Sequence, residues 1–432
     1  MNHRGKCMEN NFILKGNLIY SGKDRKLNTL ENGYVVCSKG ICKGVFKKIP
    51  EAFKSFRIKD FKDKLIIPGM VDLHVHAPQY TFRGLGMDLE LLEWLNINTF
   101  PEEAKYKNIE YAEKAYKLFV DDLKSGTTTR ACIFATIHNE ATLLLMELLE
   151  KSNLCTYVGR VNMDRNSSEN LCESSAQTSL EETNTWILKS MEKFKKTKPI
   201  LTPRFVPSCS DKLMDGLGII QRKFHLPVQS HLSENISEVS WVKKLNPKSY
   251  CYGDAYDMFG LFGGNGKTVM AHCVHSTEEE IELMKKNKVF IAHCPESNIN
   301  LSSGIAPIRK YLKLGMNVGL GSDVAGGSKL SIINAMIYAI QSSKMYWALV
   351  DRNQKPLTFD EAFYLSTMGG GAFFGKVGTF EEGYEFDAIV LDDSDLKHVE
   401  GFSLHQRIER SVYGFEKLKI IEKYVSGKIL II

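Results

Sequence analysis

Between Leu65 and Asp323 the sequence repeats one pattern, a short apolar stretch followed by a longer segment with helical periodicity. Strands that alternate with helices usually pair in parallel, because each helix carries the chain back to the edge where the previous strand began. Eight such units predict an α/β fold with a (β/α)8 barrel of the TIM type. A doubly wound open sheet is the structural alternative, but no G-x-G-x-x-G follows any strand. The candidate strands are MVDLHVHA, GTTTRACIF, CTYVGRVNMD, PILTPRFVPS, PVQSHLSE, TVMAHCVH, VFIAHCPES and NVGLGSD.

The two ends of the chain resemble each other and differ from the middle. β-like segments between Gly and Asn turn signals fill the stretch up to about Ile67, and similar segments follow Gly375. We therefore predict a small β-sandwich domain formed by residues 1–67 and 376–432, which flanks a barrel formed by residues 68–375. A chain of 432 residues is long enough for one large domain and one smaller one.

The charge and composition of the chain argue against several classes of protein. The formal net charge is only +5, and the densest basic tract, Lys193 to Lys198 (KFKKTK), is typical of the solvated end of a helix. No apolar run approaches the ~20 residues of a spanning helix, and the start MNHRGKCMENNFILKG lacks the apolar core of a signal peptide. Ten cysteines without a C-x-x-C pair are typical of reduced thiols. We therefore expect a cytoplasmic protein with no nucleic-acid partner and no membrane partner.

Polar residues fall at the ends of the candidate strands. His74 and His76 end the first strand, and His231 and Glu234 end the fifth. Because the carboxyl ends of barrel strands surround one pocket, residues far apart in sequence become neighbours there. The sixth, seventh and eighth strands end on His272, His293 and Asp323.

The spacing of His74 and His76 points both imidazoles the same way, because side chains alternate along a strand. Neutral imidazole binds Zn²⁺ or Fe²⁺. A lone H-x-H is often structural, and a single strand histidine such as His231 is more often a core residue. The coincidence of four histidine-bearing strand ends with the Asp323 carboxylate favours a metal site. Glu234 follows His231 by three residues, just past the strand end, and is therefore expected to take a proton from a water that the metal activates.

These stretches resemble a known family. PGMVDLHVHAPQ, SHLSEN, MAHC, AHCPESN and GLGSDVAGG are similar to the amidohydrolase superfamily. Within it, HVHAPQYTFRGLGMDLELLEWLNINTFPEE, TPRFVPSCS and LSSGIAPIRKYLKLGMNVGLGSDVAGG resemble the guanine deaminase family. The resemblance runs from about residue 10 to residue 425. The H-x-H motif marks only the superfamily, whereas the APQ and PRF stretches narrow the substrate.

The resemblance implies a role for each matching residue. One Zn²⁺ per chain is implied, with Fe²⁺ possible on the same ligands. Strand four ends in PRFVPS without the lysine that bridges two metals in some superfamily members, and Lys198 precedes that strand. The implied metal ligands are His74, His76, His231 and Asp323, and the implied substrate contacts are Gln79, Arg204, Phe205, His231 and Glu234.

The implied reaction is zinc-dependent hydrolytic deamination of guanine to xanthine and ammonia. Metal-bound hydroxide would attack C2, and Glu234 would carry the water proton to N3. His272 would stabilise the attacking oxygen, and Asp323 would help to protonate the departing amine. Arg204 suits the O6 and N7 acceptors of guanine, and Gln79 supplies a donor and an acceptor. Phe205 could stack on the ring. A homodimer is implied as well.

Two departures and two rival functions remain. Ser322 and Glu296 stand where the family pattern has Thr and Asn, and neither is an expected ligand. Another deaminase or chlorohydrolase of the same fold, acting on an aminated purine, pyrimidine or triazine, would use the same metal site. A non-catalytic scaffold could lose its ligands, yet all of them are present.

His293 is expected to be structural, and the Cys273 and Cys294 side chains are expected to point away from the pocket, because neighbours on a strand alternate.

Overall fold

The structure is a computed structural model that describes residues 11–264, 266–397, 399 and 401–430. Residues 1–10 and 431–432, which the predicted small domain includes, lie outside the described residues. The strands are β1 Asn11–Ser21, β2 Leu27–Ser38, β3 Ile41–Phe46, β4 Arg57–Pro68, β5 Met70–His76, β6 Thr128–Phe134, β7 Cys155–Gly159, β8 Val161–Asn162, β9 Thr197–Pro199, β10 Thr202–Pro203, β11 Val228–Leu232, β12 Thr268–His272, β13 Phe290–His293, β14 Asn317–Leu320, β15 Ala388–Asp392, β16 Lys419–Val425 and β17 Lys428–Leu430.

The middle of the chain is a closed parallel barrel. Strands β5, β6, β7 and β9 pair in parallel in that order, and so do β11 to β14. A parallel bridge between Leu201 and Val228 joins the two halves on one side. On the other side, the Asp323 amide donates to the His74 carbonyl at 2.9 Å. The eight candidate strands all belong to this barrel, so the (β/α)8 prediction is confirmed and the open-sheet alternative is wrong. The fourth strand begins at Thr197, so Lys198 lies within it, at its amino end, and not before it as expected.

Helices connect successive barrel strands and cover the outside. The helix Ile109–Ser125 begins at Asn108, whose side chain accepts from the amides of Glu110 and Tyr111 at 2.9 and 3.2 Å, the usual cap of a first turn. The helices are Leu91–Trp94, Phe100–Ala104, Ile109–Ser125, Asn139–Ser152, Ala176–Lys193, Asp211–Phe224, Ile236–Leu245, Asp254–Asp257, Glu278–Lys286, Pro295–Asn300, Ile308–Lys313, Ile332–Leu349, Phe359–Tyr364, Gly370–Phe374 and Leu404–Tyr413.

The apolar core has two layers around the barrel wall. The outer layer lies between strands and helices and contains most of the buried aliphatic residues. The inner layer fills the barrel and is small, so the barrel is a packed core and not a pore. Its buried members are Val71, Leu73, Cys132, Ile200, Val269, Ala271, Phe290, Ala292, Cys294 and Phe373.

Both chain ends form the small β domain, as predicted. Its strands form one continuous sheet in the order β17-β16-β15-β4-β1-β2-β3, where we expected a sandwich of two sheets. β15 pairs antiparallel with β4, which pairs in parallel with β1. One apolar face of this sheet has a core of its own that includes Leu14, Val35 and Phe386. The domain boundaries at 67 and 375 stay a prediction.

Two further findings bear on composition. Within the described residues, all the helices are too short or too polar to cross a bilayer. The nine cysteines in the described part of the chain are free, and Cys7 lies outside it.

Candidate active site

The barrel strand β5 carries two of the expected ligands on an irregular segment. Its pairing with β6 shifts register between Asp72 and Val75. Leu73 packs inside the barrel, whereas Val75 packs in the outer layer, so the strict alternation breaks between them. Such irregularities re-aim side chains near active sites. Here the shift leaves both His74 and His76 buried at the carboxyl end of the barrel.

The ligand atoms of the four expected ligands converge, and each lies within 3.5 Å of at least one other. The Nε2 atom of His76 lies 3.2 Å from Nε2 of His74 and 3.2 Å from Nε2 of His231. Oδ1 of Asp323 lies 3.1 Å from His74 Nε2 and 3.5 Å from His76 Nε2. Donor atoms around a tetrahedral metal of zinc's bond lengths are about 3.4 Å apart. The donor set therefore fits one divalent metal.

The neighbours of His231 prepare it to bind a metal. Its Nδ1 atom lies 2.6 Å from the Arg204 carbonyl oxygen, which can only accept, so Nδ1 carries the proton and Nε2 is free as a ligand atom. Burial, followed by the neighbouring imidazole of His74, lowers the pKa of His231 and of His76 well below the usual value. Both rings are therefore neutral, as metal ligation requires.

Glu234 and His272 lie beside the ligands. Nε2 of His272 is 3.4 Å from Oε2 of Glu234 and 3.8 Å from Oδ2 of Asp323, and its Nδ1 lies 2.8 Å from Oδ1 of Asn298. Burial, followed by the Glu238 and Asp323 carboxylates, raises the pKa of Glu234 well above its usual range. A carboxyl of raised pKa can hold and release a proton near neutral pH, which suits a shuttle.

A cavity opens next to this cluster, with ≈ 430 Å³ of empty space, open solvent included. All five expected substrate contacts line it, so the structure brings them together with His272 and Asp323 at one strand end. Phe205 is buried at its wall and contacts Trp241 edge-on at 6.1 Å. The remaining side chains include apolar ones that sequence reasoning did not identify, namely Leu91, Trp94, Leu95 and Leu301. The cavity combines an apolar wall with a few convergent polar groups, as small-molecule sites do.

Glu103 is a site residue that the sequence reasoning missed. Its side chain is 1% exposed, and its carboxylate accepts from Nε2 of Gln79 at 2.9 Å and from Nη1 of Arg204. The Ala325 amide donates to Oε1 of Gln79 at 3.3 Å. The Arg204 guanidinium also lies over the Phe100 ring, 5.2 Å from its centre. One carboxylate therefore fixes both polar side chains of the pocket, and it takes one of the two amide N–H groups that Gln79 could offer a ligand.

Glu238 was missed as well. Its carboxylate accepts from the backbone amides of Glu234 at 3.0 Å and Asn235 at 3.3 Å, and from the Tyr252 hydroxyl at 2.7 Å. Glu238 is the third residue of the helix Ile236–Leu245, where it forms a capping box with Asn235. The N-x-x-E spacing is the usual signal for such a box, and it could have identified this residue.

The two departures from the family pattern have partners nearby. The Ser322 amide donates to Oδ1 of Asp72 at 3.0 Å, and the Ser322 hydroxyl donates to Oδ2. Glu296 accepts from Nδ2 of Asn334 at 2.7 Å and from the Ser328 hydroxyl. Neither side chain reaches the ligand set, so both substitutions are accommodated outside it.

Cys294 corrects one expectation. Its Sγ atom lies within 4.8 Å of the ligand atoms of His74 and Asp323, although we expected it to point away. Alternation does separate it from His293, but Cys294 and Ala292 belong to the inner layer of the barrel and Ile291 to the outer layer. The inner face at this strand end lies under the ligands.

The remaining residues of this group stay outside the ligand set. Cys273 packs in the outer layer, as expected. His293 is 1% exposed, and neither of its ring nitrogens has a hydrogen-bond partner within the described residues. Nε2 of His275 lies 2.6 Å from the Ser303 carbonyl oxygen.

Comparison with known proteins identifies the family of the chain. The family model described as the amidohydrolase family matches residues 65–430. A guanine deaminase of Dictyostelium discoideum is 39% identical over 376 residues, covering 85% of this chain and 83% of its own. A guanine deaminase of Homo sapiens is 40% identical over 391 residues, covering 87% and 85%.

A solved structure agrees as well. The guanine deaminase of C. acetobutylicum, crystallised with bound guanine in the active site, has a TM-score of 0.94 and 50% sequence identity, covering 98% of this chain and 100% of its own. A triazine hydrolase matches with a TM-score of 0.83 at 16% identity, a likeness that shows the fold alone. The chain therefore belongs to the amidohydrolase family and, within it, groups with the guanine deaminases.

Proposed function

We propose that this protein hydrolyses guanine to xanthine and ammonia. The observation that carries the proposal is the buried pair of Gln79 and Arg204, held by Glu103, at one wall of a cavity whose other wall is the histidine and aspartate cluster. The pairing suits a planar ring that offers both hydrogen-bond acceptors and donors. The relatives named guanine deaminase and the solved structure with guanine in its active site support the same substrate.

The proposed metal ligands are His74, His76, His231 and Asp323, because their donor atoms have the separations described above. We propose one Zn²⁺ per chain, and the same imidazole and carboxylate set would also accept Fe²⁺. When bound, the metal supplies a Lewis acid that lowers the pKa of a water molecule to about 7.

Guanine would lie in the cavity with its ring between the apolar wall and Phe205. Arg204 has donors for the O6 and N7 acceptors of the base. The second amide N–H of Gln79 is free of Glu103 and available to an acceptor on the ring. These contacts would hold C2 towards the strand ends that carry Glu234 and His272.

Two carboxylates, those of Glu234 and Asp323, move the two protons of the attacking water. Glu234 takes one proton from the attacking water and delivers it to N3 of the ring. With its Nδ1 donating to the Asn298 oxygen, His272 in its doubly protonated form would donate from Nε2 to the oxygen that is adding to C2, where negative charge develops. Asp323 assists the transfer of the second water proton to the departing amine. The C2–N bond breaks, the C2–O bond becomes a carbonyl, and ammonia and xanthine result.

The test is an assay of purified, metal-loaded protein with guanine. We expect equimolar release of ammonia and xanthine, whereas cytosine, adenosine and an aminated triazine should release little. Activity confined to one of those rings would assign a different substrate. Full metal content without turnover on any ring would support the non-catalytic scaffold.

A variant separates proton transfer from metal binding. Glu234→Gln keeps the size of the side chain but cannot hold the proton, so turnover should fall by about 10²- to 10⁴-fold. Elemental analysis should find the metal content of the wild type, because Glu234 is not a proposed ligand. Wild-type turnover in this variant would remove Glu234 from the mechanism.

The proposal includes a homodimer in the cytoplasm. The family resemblance supports the dimer, and the unpaired cysteines of the described residues fit a reducing compartment. Light scattering of the purified protein would measure the oligomeric state directly.

A further inference from the structure

The basic tract KFKKTK ends a helix and then continues along the wall of a cavity. The helix Ala176–Lys193 does end there, and Lys193 pairs with Glu147 at 2.6 Å on the protein surface. The next three lysines of the tract instead line a cavity with ≈ 800 Å³ of empty space, open solvent included. They are Lys195, Lys196 and Lys198.

The cavity lies at the amino ends of the barrel strands, opposite the candidate active site. Its walls include Thr156 near the start of β7 and Lys198 in β9. Lys428, from β17 near the far end of the chain, completes the basic lining. Three lysines of one tract and a fourth from near the far end of the chain therefore converge on one cavity.

These four lysines lack acidic partners within the described residues, where none of them forms an ion pair. The Lys196 ammonium donates to the Asn153 side-chain oxygen, and the Lys196 backbone amide donates to the Glu150 carboxylate. Burial, followed by repulsion from Lys428, lowers the pKa of Lys196. Like charges held together without counterions would be stabilised by an anion.

The acidic groups near the cavity are already engaged. Arg130 pairs with Asp387 at 2.8 Å and with Glu385 at 2.8 Å, and Glu385 is the acidic residue of the lining. The Glu150 carboxylate accepts from the backbone amides of Lys196 at 2.9 Å and Thr197 at 3.0 Å. Within the described residues, the ammonium groups of Lys195, Lys198 and Lys428 are therefore left for a ligand, and Lys196 donates to Asn153 beside them.

Two aromatic rings form another wall. Tyr157 and Phe374 lie 5.1 Å apart between ring centres, and both are half-buried at the cavity. Tyr157 is the register partner of Lys198 across β7 and β9, so the two side chains leave the sheet on the same face. A ring and an ammonium group are thus presented side by side.

We propose that this cavity binds a nucleotide, with its phosphate on the lysines and its base against Tyr157 and Phe374. Lysine is a common phosphate ligand, and aromatic side chains stack on any base. A nucleotide carries a phosphate and a base in one molecule, whereas a free nucleoside has only the base and inorganic phosphate has only the phosphate. This site is separate from the proposed deaminase pocket.

The test uses adenosine monophosphate as the probe, titrated calorimetrically into the purified full chain. We expect saturable binding at one site per chain, weaker binding of inorganic phosphate, and weaker binding of adenosine. Lys198→Glu and Lys428→Glu should each weaken the nucleotide by tenfold or more. No saturable binding at millimolar nucleotide would overturn the proposal.

Lys193→Glu is the matched control, because Lys193 belongs to the same tract but does not line the cavity. Its affinity for the nucleotide should stay within twofold of the wild type. An equal loss in Lys193→Glu would indicate general surface charge and contradict a defined site. Arg204→Ala should also bind normally, and loss there would move the binding to the deaminase pocket.

Tyr157→Leu tests the aromatic wall. It should weaken adenosine monophosphate severalfold and leave phosphate binding unchanged, with the melting temperature measured to check folding. If Tyr157→Leu unfolds, inorganic phosphate titrated into the wild type decides the point, since affinity equal to that of the nucleotide would refute base contact. Displacement of the nucleotide by single-stranded RNA at much lower concentration would assign the surface to a macromolecule instead.

Discussion

Glu103 places a negative charge in a pocket that is proposed to receive a neutral base. Its carboxylate faces Arg204, so the pair is neutral overall and the pocket carries no unpaired charge from these two residues. Breaking a buried pair is costly, because the remaining charge stays desolvated. The pair therefore holds Arg204 in one orientation before the substrate arrives.

Glu103→Gln should impair substrate binding more than metal binding. The amide cannot pair with the Arg204 charge, and loss of a charged hydrogen bond costs about 1.5–3 kcal/mol, or about 10- to 100-fold in kcat/KM. We expect a rise in KM that dominates the change, with wild-type metal content.

The neighbouring carboxylate provides the control for this change. Glu102 accepts from Lys105 at 2.6 Å and from Thr81 at 2.8 Å, away from the pocket, so Glu102→Gln should retain activity. Unchanged KM for guanine in Glu103→Gln would show that Glu103 does not position the pocket.

At the residue scale, the sequence predicted which side chains share a face of one strand, because that depends only on their spacing. His74 and His76 could be placed on one face because strand alternation is local. Glu103 could not, because Glu102 and Glu103 are adjacent and only the packing of their helix decides which one turns inward. The Cys294 side chain was predicted on the wrong face for a similar reason. Alternation shows that neighbouring residues of a strand lie on opposite faces, but it does not show which of them faces the barrel interior.

At the scale of elements, β14 is packed so closely that one of its positions has no room for a side chain. A Cβ atom on Gly319 would lie 2.6 Å from Cδ1 of Leu73 and 2.7 Å from the Cα atom of Gly370. The strand therefore sits tightly between the first barrel strand and the helix Gly370–Phe374. No side chain can be added there without movement of backbone.

Gly319→Ala should destabilise the protein by about 1–3 kcal/mol, the usual cost of overpacking a core. The midpoint of urea unfolding would measure this change. Gly401→Ala is the control, because a Cβ atom there would meet nothing within 4 Å, and its effect should stay within about 0.5 kcal/mol. Equal midpoints for Gly319→Ala and the wild type would show that β14 can relax.

The alternation of strand and helix predicted all eight barrel strands, because the periods are visible in sequence. The irregularity of β5 between Asp72 and Val75 was not predictable, since it depends on pairing with β6. The strand order of the small sheet was also hidden, because neighbours such as β4 and β15 are distant in sequence and their pairing leaves no local signal.

At the scale of the whole molecule, Lys423 joins the small sheet to a barrel helix. It is fully buried, and its Nζ donates to the carbonyls of Leu123 at 3.3 Å, Lys124 at 2.9 Å and Gly126 at 2.8 Å. Burial lowers the pKa of Lys423 to about 7. The folded protein therefore binds this proton more weakly than the unfolded chain does.

The contribution of Lys423 to the free energy of unfolding should rise with pH between about pH 7 and pH 10, because in that range the unfolded chain holds a proton that the folded Lys423 has lost. Lys423 can contribute up to about 1.4 kcal/mol per pH unit to this slope. Lys423→Met removes that contribution, so the slope of its unfolding free energy against pH over this range should be less positive than the wild-type slope, whatever its absolute stability.

Lys419→Met serves as the comparison, since Lys419 lies on the same strand but is exposed. It should keep the wild-type slope over this range. A wild-type slope in Lys423→Met would mean that Lys423 stays charged when folded.

The sheet made from both chain ends constrains how the protein can be made. β4 is complete early in translation, but its partner β15 is synthesised only near the end. Until then one edge of β4 exposes unpaired backbone groups, which is the usual template for association between chains. A ribosome that stops before β15 releases a chain with that edge open, so translational truncation late in the message should produce aggregates rather than a smaller enzyme.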